Sequence, residues 1–195
     1  MTIKQSLVSA FQTAILSPQD HFRSIWRKID VSRSESVVVD SRGLFAQARV
    51  YIYGEGWAML YLPLENFNVE ISQQLYGVDS YILPPYSLLR NEFVFFDNNG
   101  DELWLNILLQ HIDGGVPLIE SGLDVDEMMG IIDELEYECR RMGFRHNSLT
   151  LFDVMLSPEC RPYLIRYHGA TFCDVLDNFD ELKVEISSST NTNNL

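Results

Sequence analysis

Residues 143–171, GFRHNSLTLFDVMLSPECRPYLIRYHGAT, decide how the rest of the chain is read. A glycine is followed by the turn His146-Asn147-Ser148-Leu149, then by the short apolar run Val154-Met155-Leu156. A loop containing Pro158 leads to a second apolar run that ends in Arg166-Tyr167-His168-Gly169. Two short apolar runs flanking a proline-bearing loop predict two short strands.

Immediately upstream is a long amphipathic helix. Val125, Met128, Met129, Ile132, Leu135, Cys139 and Met142 recur at steps of three and four, giving one apolar stripe along about five turns. Asp124 with Glu127 forms a capping-box start, Arg140-Arg141 suit the negative end of the helix dipole, and Gly143 supplies the stop. Asp113-Gly114-Gly115 marks a hinge before it. Downstream, Phe172, Val175, Leu176, Phe179 and Leu182 predict a last short helix, with Asp174, Asp177, Asp180 and Glu181 on its other face. Residues 187–195, SSSTNTNNL, read as a disordered tail.

Further upstream the period changes to two. Residues 37–39, 45–53 and 56–62 predict three strands, joined by turns at Asp40-Ser41-Arg42-Gly43 and Gly54-Glu55-Gly56. Residues 65–75 read as a helix, 81–89 as irregular around Pro84-Pro85, and 92–96 with 103–109 as a hairpin about Asn98-Asn99-Gly100. At the beginning, Ile3, Leu7, Ala10, Phe11, Ala14 and Ile15 share a helical face over residues 3–16. Ser17-Pro18 stops that helix, and a second is expected over residues 20–28 with Phe22, Ile25 and Trp26 inward. The expected organisation is an N-terminal helical extension (1–30), an antiparallel sheet domain with one helix (36–112), a partial, mainly helical lobe (113–186) and the tail (187–195). The expected class is α+β.

Composition narrows the function. A net charge of −14 and a pI near 4.5 exclude a polyanion-binding role, since nucleic acid and anionic membranes reward clustered Lys and Arg. Cys139, Cys160 and Cys173 have no metal-ligand spacing and fit reduced thiols filling a core. No leader-like segment opens the sequence and no apolar run approaches the ~18 residues of a membrane span, so the cytoplasm is the expected location. Four scattered histidines and these thiols give neither a zinc set nor a Cys-His nucleophile pair, and no cofactor is expected.

The order of elements, from three strands and a helix through two strands, a hinge and a long helix to His146-x-x-Leu149 and Gly169, resembles a protein kinase from its small lobe into the start of the large one. The resemblance covers roughly residues 36–172. The run Ala14-Ile15-Leu16-Ser17-Pro18-Gln19-Asp20-His21-Phe22 is also similar to the A-x-x-x-P-x-x-x-F pattern that precedes the small lobe in a group of bacterial kinase-like proteins.

What the resemblance implies is a fold with its chemistry removed. In the loop H-R-D-L-x-x-x-N the Asp handles the substrate proton and the Asn holds a metal. Ser148 stands at the first position and Asp153 at the second. Arg166 falls where the metal-binding Asp of D-F-G would be, and Leu60 falls at the phosphate-pairing lysine; Glu70 is the counterpart of its helix glutamate. No lysine occurs between Lys28 and Lys183, and the glycine-rich nucleotide loop keeps only Gly43. Removing three electrostatic groups, each worth ~10²–10³ in rate, implies a non-catalytic, pseudokinase-like module that binds a protein partner or itself. Arg166 is expected to meet Asp153 or Glu70. Two alternatives follow: a divergent phosphotransferase or nucleotide binder using Asp153 and Glu70 as metal ligands, or a binder of an uncharged small molecule in a cleft between the lobes near Leu60, Leu109, His111 and Met155.

Overall fold

A computed structural model describes residues 2–40, 43–65, 80–97, 99–112, 114–167, 169–174 and 177–189. The predicted helix over 65–75 and the turn residues Ser41, Arg42 and Asn98 fall, apart from Glu65, outside the described residues, as do Glu70, His168, Val175 and Leu176. The chain is mixed α+β and divides into two compact units. Of the described residues, the first unit takes 2–65 and 86–112, and the second takes 80–85 and 114–189. Among the described residues no helix is long and apolar enough to cross a membrane.

The first unit opens with α1 (Ile3–Leu16), capped by Thr2 and Gln5, each bonding the other's backbone amide. It buries Leu7, Phe11, Ala14 and Ile15 and leaves Ile3 exposed. Five strands follow as β1 (Ile29–Asp30), β2 (Val38–Val39), β3 (Phe45–Ile52), β4 (Gly56–Pro63) and β5 (Tyr86–Phe96), and β6 (Glu102–His111) completes an antiparallel sheet. The order is β1-β3-β4-β6-β5, with β2 also on β3. Alternation puts Ala46, Ala48, Val50 and Ile52 of β3 and Ala58, Leu60 and Leu62 of β4 in one core with α1, joined by Phe93, Phe95, Leu105, Ile107 and Leu109. The N-terminal helix is thus part of this core. Among the described residues the sheet has six strands, where the sequence predicts five, because residues 29–30 pair with β3.

Two expectations for this unit are corrected. Residues 20–28 form no α-helix; the 3-10 turns Pro18–Asp20 and Ile25–Arg27 stand there. The cause is tertiary. The Glu92 carboxylate accepts from Ser24 N, Ile25 N and Ser24 Oγ at 2.7 Å each, and residues 21–23 pair with β5 through Arg23 N to Glu92 O (2.9 Å) and Val94 N to His21 O (2.8 Å). Likewise residues 86–89, expected to be irregular, open β5, with a register shift between Leu89 and Phe93 separating them from its second half. The backbone disruption of Pro84-Pro85 ends with the prolines themselves.

In the second unit β7 (Val116–Pro117) leads through the 3-10 turn Leu118–Glu120 to α2 (Val125–Met142). Both halves of the Asp124/Glu127 capping box form, and Gly143 closes the helix in the left-handed region at φ 63°. The stripe buries Met128, Ile132, Leu135 and Cys139, while Val125, Met129 and Met142 are half-buried. β8 (Phe144–Arg145), β9 (Val154–Leu156), β10 (Pro162–Leu164), β11 (Thr171–Phe172) and α3 (Phe179–Ser189) follow. β9 and β10 are the two short strands predicted from residues 143–171, and they pair as a hairpin; β7 extends it, and β11 pairs β8. Most of the regular structure of this unit is in α2, 18 residues, and α3, 11 residues, and its short apolar runs pair with one another as strands of two or three residues. Phe172 lies in β11 against Phe144 and not on the last helix, which starts at Phe179 and carries residues 187–189, expected in the tail, in helical form. Gly115 is held by proximity, since a Cβ there would sit 1.8 Å from Leu156 O.

Candidate functional site

The loop between β8 and β9 is built from both ends of the second unit. His146 is buried, its Nε2 donates to Ile165 O at 2.8 Å, and its backbone amide donates to Asp177 Oδ2 at 2.5 Å. A carbonyl can only accept, so the proton resides on Nε2 and the ring braces backbone. Asn147 takes up a left-handed conformation at φ 71°, which asparagine tolerates, and gives its amide to Asp177 Oδ1 at 2.9 Å. Its side-chain amide donates to Gly169 O (2.8 Å) and Thr171 Oγ1 (3.2 Å). Asp177, read from sequence as a surface acid of the last helix, instead clamps two consecutive amides thirty residues upstream.

Asp153 is the centre of a second network. Its Oδ2 accepts from Thr150 N (2.8 Å) and Thr150 Oγ1 (2.6 Å), and its Oδ1 accepts from Arg166 Nε at 2.7 Å. The Asp153 side chain is 5% exposed and that of Arg166 20%. Arg166 is itself left-handed at φ 59°, and Ile165 N donates to Asp153 O at 2.9 Å, so the hairpin delivers Arg166 onto Asp153. The pairing of Arg166 with Asp153 expected from the spacing is present. Thr150 was not singled out from sequence, although Thr150-x-x-Asp153 is a capping-box pattern.

This arrangement suits neither proton transfer nor metal binding. Three of the lone-pair sites of Asp153 are occupied by charge-assisted or neutral donors, and a permanent guanidinium charge sits where a divalent cation would need to approach. Ser148 is half-buried and takes no part in the network. Among the described residues no group of three or more His, Cys, Asp or Glu is arranged to hold a metal ion. Gly169 lies in an exposed turn with open space around it and contributes its carbonyl. Met155 is buried in β9, opposite Tyr163 and Pro117. Of the thiols only Cys139 is core: burial pushes it up to about 12, whereas Cys160 is exposed and Cys173 half-exposed, against the expectation of core filler for all three.

In the first unit Leu60 is opposite Leu109 across β4 and β6, and both belong to the core beside α1. The turn that keeps Gly43 is closed on itself: Asp40 Oδ1 accepts from Leu44 N (2.7 Å) and Phe45 N (3.0 Å). Those amides, which a phosphate-binding turn would leave open, are spent on the chain's own carboxylate. Leu109 and His111 line a cavity of about 270 Å3 together with Ile25, Leu89, Lys28 and Glu55. Leu60 is not part of that lining. No protein-family model matches this chain, and no curated protein matches it.

Proposed function

We propose that the chain is a non-catalytic, pseudokinase-like module that acts by binding a protein partner or a second copy of itself. One observation carries the reading: Asp153, the carboxylate best placed by spacing to hold a cation, is engaged on both oxygens, by Thr150 and by Arg166 at 2.7 Å. The Arg166 charge substitutes for the metal and holds the loop shape that a metal and nucleotide would otherwise organise. The Leu44 and Phe45 amides after Gly43, spent on Asp40, favour the same conclusion for the first unit.

The direct test is thermal unfolding with and without Mg-ATP. A ligand at a hundred times its Kd adds ~2.7 kcal/mol and raises Tm by several degrees. The expected result is an unchanged Tm and no transfer of labelled phosphate to the chain or to a generic acceptor. A reproducible, magnesium-dependent rise in Tm would replace this reading with that of a divergent nucleotide binder.

A further inference from the structure

We propose that the cavity of the first unit binds a small organic monocarboxylate, its anionic end held by Lys28 and the Ser87 hydroxyl and its apolar end on Ile25, Leu89 and Leu109. This inference does not rest on the reading of the second unit. The floor is aliphatic: Ile25 is 6% exposed, Leu109 4%, and Leu89 packs partly buried against the same core. The rim is ionic. Glu55 pairs through Oε1 with Lys28 Nζ and turns Oε2 toward His111 Nε2 at 3.5 Å.

The balance of hydrogen-bonding capacity selects the ligand's charge. The two Glu55 oxygens face Lys28 and His111, so the single N–H of a neutral His111 is turned to Glu55 and Lys28 is the donor left for an incoming group. Lys28 has three ammonium donors and uses one on Glu55. The Ser87 hydroxyl, on an exposed position of β5 at the same cavity, adds a further donor. An acceptor with negative charge completes such a set, and an ammonium would meet Lys28 head on. The aliphatic floor favours an organic acid over an inorganic anion, because only the former removes that floor from water. A volume of about 270 Å3 lies just below the usual range of small-molecule pockets, ~300–1,000 Å3, and so admits a short chain or a single ring.

The test uses the full chain and ligand-observed NMR with sodium hexanoate, hexan-1-ol and hexylammonium. Saturable hexanoate binding with Kd on the order of 1 mM is expected, with the alcohol and the ammonium each at least about tenfold weaker. Lys28→Gln, at a side chain more than half exposed, should weaken hexanoate about tenfold and leave the unfolding midpoint unchanged. Ser87→Trp, which fills the mouth from an exposed strand position, should abolish binding in a folded protein. Absence of saturable hexanoate binding, equal affinity for the alcohol or the ammonium, or undiminished hexanoate binding by either folded variant would overturn the proposal.

Discussion

Gly115 and Gly169 bracket the β9–β10 hairpin, and only one of them is irreplaceable. At Gly115 an added Cβ would lie 1.8 Å from Leu156 O, a backbone atom fixed by the pairing of β7 with β9. Gly115→Ala must push those strands apart and should cost about 1–3 kcal/mol in urea denaturation. Gly169 has open space at its Cβ and no left-handed φ, so Gly169→Ala should stay within about 0.5 kcal/mol of the wild type in the same measurement. The residue that spacing singles out as a D-F-G-like glycine is thus the dispensable one. Asp153→Ala leaves the Arg166 guanidinium and both Thr150 donors without their acceptor, and a loss of about 3 kcal/mol is expected. A loss of that size without any change in Mg-ATP response would mark Asp153 as a bracing group.

Among the elements, α2 and α3 are joined by Lys183, whose Nζ reaches Asp133 Oδ1 at 2.7 Å and Glu136 Oε2 at 2.9 Å. The hydrogen bond from Lys183 holds the Glu136 carboxyl below its ordinary value of 4.5, and the bonds to Asp133 and then Glu136 raise Lys183. A depressed carboxyl contributes stability that is complete above 4.5 and fades as pH falls through the lower folded value. A raised ammonium contributes stability that fades only when pH climbs past 10.5. Lys183→Met should therefore lower the urea midpoint near neutral pH and flatten its acid-side decline below 4.5, as seen by titrating both proteins in parallel. How far each element was legible in the sequence follows from where its partners lie. The ends of α2 are written by Asp124, Glu127 and Gly143, all local, and they were readable. Residues 20–28 carry a helical apolar pattern, but the groups that decide their shape are the Glu92 carboxylate and the edge of β5, about seventy residues away. Phe172 similarly fits a helix face until Phe144 claims it as a strand partner. In the site, the spacing of His146, Asp153 and Arg166 was informative because Asp153 and Arg166 flank the β9–β10 hairpin and His146 bonds the carbonyl of Ile165 beside them. Asp177 left no such signal, since the amides it binds lie thirty residues upstream and look like any others.

For the molecule as a whole, charge is unevenly shared: residues 114–189 carry fifteen Asp and Glu against six Lys and Arg, well over half of the total imbalance. The first unit is nearer neutrality and holds all three tryptophans, Trp26, Trp57 and Trp104. It also contains the apolar run Phe93-Val94-Phe95-Phe96 in β5, at the border of the sheet. There the pairing of residues 21–23 with Glu92 and Val94 has a consequence for colloidal behaviour. A sheet border with open amides and carbonyls recruits further strands from neighbouring molecules. The segment after α1 occupies the Glu92 carbonyl and the Val94 amide beside that run, so the same residues that spoil a helix serve as a guard rail against fibre-like stacking. A chain beginning at residue 31 would lose both that guard and the α1 side of the core, and size-exclusion chromatography should find it as high-mass aggregates; a monodisperse truncated chain would show that the border is shielded by other means.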